Sequence, residues 1–197
     1  MDKSTLECIF LSASIPVQGR HDERYINTAD VIAIRDAVIA FASAILPKFH
    51  LVWGGHPSIT PLIVNVVKHY GINVNENITL YQSRQYEGLF PVENNSIGNI
   101  ILTAKGDDAN ESLYIMRHQM LSNHKYVAGV FIGGMNGVED EYNMFKTLQP
   151  KAQLIPVAST GAAAKIIYER EKVELMFSDR LESDLAYFSL FKDLLGI

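Results

Sequence analysis

Cysteine is nearly absent from this chain, and long apolar segments are absent altogether. Cys8 is the only cysteine among 197 residues, which excludes a disulfide within the chain and predicts a buried strand thiol. No apolar run reaches the roughly 18 residues that a membrane-spanning helix needs. The N-terminal segment MDKSTLECIFLSAS also lacks the basic start and long apolar stretch of a signal peptide. These absences predict a cytoplasmic protein without a membrane segment.

Positive charge is not in excess either. The net charge is −5, the isoelectric point is near 5.7, and the basic residues are scattered along the chain. Because nucleic-acid binding depends on a positive patch that meets phosphates, this composition argues against it. A small anionic ligand held by one or two arginines remains open, since the field inside a site is separate from the net charge.

Several familiar site motifs are missing. Neither GxxxxGK[ST] nor GxGxxG occurs, which argues against a P-loop enzyme and an ordinary NAD dehydrogenase. No GxSxG turn occurs, which argues against the usual hydrolase triad. The six histidines show no ligand-pair spacing beside cysteines or aspartates. We therefore expect neither a metal site nor a cofactor.

Apolar segments of strand length alternate with segments of helical period along the whole chain. Strands are predicted at 6–13, 49–53, 77–83, 98–104, 126–132 and 153–158, and helices at 31–46, 61–70, 110–124, 137–148, 159–172 and 182–195. Thr28 or Asp30 is the expected cap of the first helix, Pro47 its end, and Gly71 the end of the second. This pattern predicts an α/β fold in one domain, residues 1–197: a Rossmann-like, three-layer architecture with a mostly parallel sheet and helices on both faces.

Small and hydroxyl-bearing residues follow the carboxyl ends of these strands, where folds of this class bind ligands. Helix N-termini at that edge suit phosphate groups. Each residue alone fits an ordinary turn or helix cap, His56 could be merely structural, and Arg84 could be a solvated loop arginine. Their agreement on one edge predicts a ligand site. The candidates are Ser12, Ser14, Gly54, Gly55, His56, Arg84, Gly133, Gly134, Thr160 and Gly161.

The segment YIMRHQMLSNHKYVAGVFIGGMNGVEDEY resembles the signature of the Lonely Guy phosphoribohydrolases. In that family a helix bearing M-x-x-R-K precedes a strand that ends in P-G-G-x-G-T-x-x-E. Here Arg117 lies on the predicted helix, and Glu141 stands four residues after Gly137. The earlier VWGGHPSITPLI is similar to the family's other glycine turn, G-G-G-x-x-G.

The chain resembles the wider SLOG superfamily over roughly residues 6 to 170. The superfamily joins the Lonely Guy enzymes and the DNA-processing Smf proteins. The stretches LSASIP, GGHPSITPLI, YQSR and IPVASTGAAA are similar to the SLOG domains associated with TIR-type immune proteins. That group includes sensors of Thoeris-type antiphage effectors, which recognise cyclic ADP-ribose isomers.

The resemblance implies two readings of Arg117 and Glu141. In an N-glycosidase the carboxylate would assist an oxocarbenium-like state, and the arginine would hold a ribose phosphate. In a binding domain the carboxylate would accept hydrogen bonds from ribose hydroxyls. Without the resemblance, Arg117 fits an exposed helix charge, and residues 139–141 fit the acidic first turn of a helix.

This chain departs from the enzyme motif at several positions. Ile132 replaces the proline, Val138 the threonine, His118 the lysine after the arginine, and His56 the third glycine of the earlier turn. An extra residue also separates the second and third glycines of the later turn. These departures put catalysis in doubt more than binding.

The first hypothesis is therefore a sensor domain that binds an ADP-ribose-like or cyclic ADP-ribose-like molecule in antiviral defence. A TIR or other effector on a separate chain would be its partner, and the relatives imply a homo-oligomer, a dimer or larger. The alternative is a nucleoside 5′-monophosphate phosphoribohydrolase of Lonely Guy type. A weaker third hypothesis, a DNA-processing role, is opposed by the acidic charge.

Overall fold

A computed structural model describes residues 6–46, 48–70, 77–176 and 178–197. Its strands are β1 Cys8–Ser14, β2 His50–Trp53, β3 Ile78–Ser83, β4 Ile100–Thr103, β5 Tyr126–Gly133 and β6 Gln153–Val157. They form one sheet in the order β4-β3-β2-β1-β5-β6, and every neighbouring pair is parallel. The predicted parallel α/β fold is thus confirmed.

Helices cover both faces of this sheet. They are α1 Glu23–Ile26, α2 Val31–Ile45, α3 Thr60–Tyr70, α4 Ala109–Ser122, α5 Asn136–Leu148, α6 Ala162–Glu171, α7 Ser178–Ser183 and α8 Tyr187–Leu195. One apolar cluster joins the sheet to α2, α3, α7 and α8, and a second joins it to α4, α5 and α6. The molecule therefore has the three layers that the sequence predicts.

Strand β1 shows how the sequence builds these layers. Successive side chains of a strand point to opposite faces of a sheet. Ile9 and Leu11 accordingly belong to the first cluster, and Phe10 belongs to the second. Phe10 stacks on Phe145 of α5 with a centroid separation of 5.4 Å. An unbroken apolar strand, buried on both faces, is what a central parallel strand requires.

The order of the strands places a crevice beside β1. The chain runs outward from β1 through β2 and β3 to β4, and it then returns to place β5 on the other side of β1. Ser12 pairs with Phe131 and Ser14 with Gly133 across this junction. The connections that leave β1 and β5 diverge at this switch point, which is where open α/β sheets bind ligands.

Two helix assignments differ from the sequence prediction. Residues 23–26, predicted as loop, form α1, which Asp22 caps by accepting a hydrogen bond from the Arg24 amide at 2.9 Å. The C-terminal helix predicted at 182–195 is instead two helices, α7 and α8. The break follows from Asp184, whose carboxylate accepts a hydrogen bond from the Ala186 amide at 2.8 Å. Such local side-chain bonds compete with helix continuation.

The start of α2 distinguishes between its two candidate caps. The Asp30 carboxylate accepts a hydrogen bond from the Ala33 amide at 2.9 Å, so Asp30 is the cap. Thr28 instead accepts a hydrogen bond from the Ala162 amide. Pro47 and Gly71 lie outside the described residues. No helix among those that are described is long and apolar enough to cross a membrane.

Candidate functional site

A cleft of about 310 Å³ lies at the carboxyl edge of the sheet. The ends of β1, β2 and β3 form its base, and the β3–β4 connection, one face of α4 and the first turn of α5 form its sides. Small-molecule sites span roughly 300–1,000 Å³, so the cleft has the size of a compact ligand site.

Glu141 forms the polar floor of this cleft together with Ser12. Its Oε2 accepts a hydrogen bond from the Ser12 hydroxyl at 2.5 Å, and its Oε1 accepts one from Arg117 Nε at 3.2 Å. The side chains of Glu141 and Arg117 are only 13% and 14% exposed. Strand β1, helix α4 and helix α5 therefore each contribute one member of a partly buried polar cluster, Ser12–Glu141–Arg117.

Arg117 is held on several sides. Besides Glu141, it contacts Asp140, whose Oδ2 lies 3.2 Å from Nη1. A side-chain carbon added at Gly137 would lie 2.8 Å from Arg117 Nη2. Glycine at 137 thus gives the guanidinium its space. Gly137, Arg117 and Glu141 all line the cleft, so the motif spacing reflects a direct contact.

The protonation of Glu141 depends on opposing effects. Burial raises the pKa of its carboxyl above the usual range, while the Arg117 guanidinium and the Ser12 hydroxyl oppose that rise. A carboxyl with a raised pKa beside a cleft is a recurring feature of functional sites. The arrangement can accept hydrogen bonds from a ligand, or it can assist proton transfer.

The first turn of α5 adds backbone donors to the same cleft. Asn136, Gly137 and Val138 belong to the lining. The Val138 amide donates to the Met135 carbonyl at 2.9 Å. The amides of Asn136 and Gly137 are therefore the candidate donors, because the first N–H groups of a helix have no acceptor within that helix. No side-chain cap is present at Met135. An oxyanion would be favoured here by the helix dipole.

His56 and Gln82 line the cleft beside β2 and β3. Nδ1 of His56 accepts a hydrogen bond from the Ser58 amide at 3.2 Å. Burial, together with the neighbouring His21 and Arg20, lowers the pKa of His56 to about 4. At neutral pH the imidazole is therefore uncharged, and because Nδ1 is an acceptor, the proton resides on Nε2.

Gly54 and Gly55 also line the cleft, and the structure shows why position 55 requires glycine. Gly55 has φ +67°, and a side-chain carbon there would lie 1.8 Å from Gln82 Nε2. Gln82 Nε2 in turn donates a hydrogen bond to the Gly54 carbonyl at 3.2 Å. The turn after β2 thus closes against the end of β3.

Four other predicted site residues lie outside the lining: Gly133, Gly134, Thr160 and Gly161. Their positions are explained by packing. The Thr160 hydroxyl donates to the Val157 carbonyl at 2.6 Å and accepts a hydrogen bond from the Gly133 amide at 2.9 Å. A side-chain carbon at Gly161 would lie 1.7 Å from the Thr28 carbonyl oxygen. These residues join β5, the β1–α2 connection and α6.

The N-terminus of α6 is likewise committed to protein contacts. The Ala162 amide donates to the Thr28 hydroxyl at 2.9 Å, and the Ala163 amide donates to the Gly134 carbonyl at 3.3 Å. The donors predicted for a phosphate at 159–161 are thus used to fix the fold. Arg84 also lies outside the lining, half exposed and paired with Glu87 at 3.2 Å.

Of the predicted residues, the cleft brings together Ser12, Ser14, Gly54, Gly55, His56, Arg117 and Glu141. It also includes residues that we did not predict, among them Gln82, Asn136 and the apolar side chains of the β3–β4 connection. Gln82 is the penultimate residue of β3 and was detectable by its position at the carboxyl end of that strand. The β3–β4 connection carries no such signal. Among the described residues no His, Cys, Asp and Glu cluster is arranged to hold a metal ion.

Comparisons with known proteins fit this fold. The model of the family described as "SLOG cluster3 family" matches residues 24–195. The X-ray structure of TM1055, a structural-genomics target, is similar with a TM-score of 0.58 and 15% identity, covering 89% of each chain. At that identity the likeness establishes the fold alone. A search of curated proteins finds no match.

Proposed function

The chain belongs to the SLOG cluster3 family, and on this premise we propose that it binds a nucleotide-derived small molecule and acts as a sensor. Family membership confirms the predicted resemblance to the SLOG superfamily. ADP-ribose and its cyclic isomers are the ligands that the further resemblance to TIR-associated members favours. The observation that supports binding is the Ser12–Glu141–Arg117 cluster at the floor of a cleft at the switch point.

The cluster suits the ribose of such a ligand. A carboxylate is acceptor-only, so Glu141 can accept hydrogen bonds from vicinal hydroxyls through its remaining lone pairs. The amides of Asn136 and Gly137, at the start of α5, can bind a phosphate beside it. Both Glu141 oxygens already have protein partners at 2.5 and 3.2 Å, which fixes the carboxylate in one orientation. A fixed acceptor serves recognition because little side-chain freedom is lost when the ligand binds.

A sensor passes its signal to another protein. We propose an effector on a separate chain, a TIR protein or another, acting in antiviral defence with a homo-oligomer of this chain. Apolar side chains are exposed on α2, between α7 and α8, and on α8, among them Ile32, Leu185 and Phe188, which are 72%, 66% and 48% exposed. Pull-down and light scattering with and without ligand would test this part of the proposal.

The direct test is mass spectrometry of small molecules released from the purified protein, followed by titration calorimetry with ADP-ribose, cyclic ADP-ribose isomers and AMP. We expect one of these to bind and to stabilise the fold, by about 2.7 kcal/mol at a hundredfold excess over Kd. Glu141→Gln should weaken binding roughly 10- to 150-fold, because hydrogen bonds to a charged group contribute about 1.5–3 kcal/mol.

The matched control is Glu87→Gln, an exposed acid that pairs with Arg84 outside the cleft. It should bind like the wild type. Binding that Glu141→Gln leaves unchanged would contradict the proposed site. Failure of every nucleotide in the panel to bind would contradict the proposed function.

One observation favours a second function, a nucleotide N-glycosidase. The buried Glu141 has a raised pKa and an arginine beside it, a combination suited to general acid–base work. Water would add to C1′ of the ribose while the C1′–N bond breaks, and the base would leave with a proton. Chromatography for released base after incubation with nucleoside monophosphates tests this. Release that Glu141→Ala abolishes would establish the enzyme, and tight binding without release over hours would exclude it.

A further inference from the structure

The cleft has an apolar side that the polar floor does not involve. The β3–β4 connection contributes Tyr86, Leu89, Phe90 and Pro91 to the lining, and we refer to these four residues as the apolar wall. We propose that the apolar wall binds a flat heteroaromatic ring, the nucleobase of the ligand. This assignment rests on the proposed function, and it identifies which part of the ligand meets which side of the cleft.

The apolar wall is an ordered element. Ser83 Oγ accepts a hydrogen bond from the Gln85 amide at 3.2 Å, which caps a short 3₁₀ turn at Arg84–Tyr86. The Leu89 amide then donates to the Tyr86 carbonyl at 2.9 Å, and the Asn94 amide donates to the Pro91 carbonyl at 3.0 Å. These bonds hold the side chains of the wall at the cleft before a ligand arrives, which lowers the entropic cost of binding.

The wall presents apolar surface that the fold leaves uncovered. Leu89 is 75% exposed, and Tyr86 and Phe90 are partly exposed. A large apolar side chain at the side of a cleft gains about 25 cal/mol for each Å² that a ligand removes from water. Aromatic faces add stacking with a planar ring, to which every nucleobase is suited.

The charged side chains around the cleft favour one orientation of the ligand. Arg84, next to the wall, is outside the cleft lining and is engaged by Glu87. Arg117 lines the cleft and pairs with Glu141, next to the first turn of α5. A nucleotide therefore fits in one direction, with its base on the apolar wall and its sugar and phosphate toward the polar floor.

The test compares probes with and without a base. The wild-type protein, Phe90→Ala and Tyr86→Ala are titrated with ADP-ribose, AMP and ribose 5-phosphate. Stacking contributes about 1–3 kcal/mol per base, so each variant should lose roughly 5- to 150-fold affinity for the base-bearing probe that binds. The affinity for ribose 5-phosphate should stay unchanged. Phe90→Tyr, which keeps a flat ring, should restore binding of that probe.

Two controls separate this proposal from a general effect on folding. Val92→Ala replaces a side chain of the same connection that is 74% exposed and outside the lining, and it should bind like the wild type. Glu141→Gln should weaken base-bearing and base-free probes alike. The assignment would be overturned if Phe90→Ala lost as much affinity for ribose 5-phosphate as for the base-bearing probe, or if it lost affinity for no probe. Either result would leave the proposed function standing. No nucleotide binding by the wild type would overturn both.

Discussion

Glu141 differs from the two acidic residues before it in what its side chain touches. Glu139 accepts a hydrogen bond from the Tyr25 hydroxyl at 2.6 Å and tethers α1 to α5. Asp140 is 56% exposed and reaches Arg117 from outside the cleft. Glu141 alone of the three lines the cleft. The three acidic side chains at 139–141 therefore make three different sets of contacts. They do so because successive side chains of a helix point about 100° apart.

At residue scale, the glycine turn after β2 gives the first prediction. Gly55→Ala should destabilise the fold by about 2–4 kcal/mol, because φ +67° disfavours a side chain and the new carbon would collide with Gln82 and Leu80. Gly19→Ala is the matched control, since Gly19 also has positive φ, +76°, but has no atom within 4 Å of an added carbon. It should cost only about 1–2 kcal/mol. Urea unfolding of both variants measures the difference, and equal losses would refute the packing argument.

At the residue level, the structure places together residues whose spacing in a motif drew attention to them. The spacing of Arg117, Gly137 and Glu141 predicted residues that the structure brings together in one cleft. The sequence alone could not distinguish glycines that line a site from glycines that pack against a side chain. Gly134, where an added carbon would lie 2.3 Å from Val138, looks the same in sequence as Gly54. The difference depends on which residue lies opposite, and that is set by the fold.

At the scale of elements, the N-termini of the helices that follow β5 and β6 have different surroundings. Amides at the start of α6 donate to Thr28 and to the Gly134 carbonyl, whereas the first turn of α5 lines the cleft. The two sequences, GGMNG and STGAA, both predict a helix start after a strand. The start of α6 is covered because Thr28 of the β1–α2 connection and the Gly134 carbonyl lie against it.

The Thr160 hydroxyl is expected to stabilise the junction between β5 and β6. This buried hydroxyl connects β6 to the end of β5 through Val157 and Gly133. Thr160→Val should cost about 1–3 kcal/mol, because it leaves the buried Gly133 amide without its acceptor. Thr147→Val is the control, since the exposed Thr147 hydroxyl only donates to the Asn143 carbonyl at 2.9 Å. It should change the free energy of unfolding by less than about 0.5 kcal/mol. Similar losses in the two variants would show that the Thr160 bonds contribute little.

At the scale of the whole molecule, the three layers and the parallel sheet were predictable, whereas the two C-terminal helices were not. Six apolar strands alternating with helices leave few arrangements other than a parallel sheet covered on both faces. The split between α7 and α8 was not predictable from apolar periodicity. It depends on Asp184, which binds the Ala186 amide and also pairs with Arg180 at 2.8 Å. The spacing of apolar residues does not predict a helix break that depends on the hydrogen bonds of a polar side chain.

Two histidines at opposite ends of the sheet, His56 and His124, contribute to the response of the fold to acid. Burial lowers the pKa of His56, at the cleft, to about 4, with help from His21 and Arg20. Burial and the neighbouring His50 also lower the pKa of His124, whose Nε2 lies 3.0 Å from the Tyr81 hydroxyl. The unfolded chain binds protons to these residues at a higher pH than the folded chain. Stability should therefore fall as pH drops below about 6.5, the value of an unfolded histidine.

The expected slope is up to about 1.4 kcal/mol per pH unit for each histidine, and for His56 it extends down to its folded pKa of about 4. This slope is measured from the urea unfolding midpoints of the wild type, His56→Gln and His124→Gln between pH 7.5 and 5. Each variant should show a shallower decline below pH 6.5, and the slopes should agree above pH 7, where histidines are neutral in both states. Comparison within this set removes the opposing contribution of Glu141, whose pKa is raised on folding, because every protein in the set retains it. A wild-type slope that neither substitution reduces would mean that these two imidazoles are not the groups whose protonation weakens the fold.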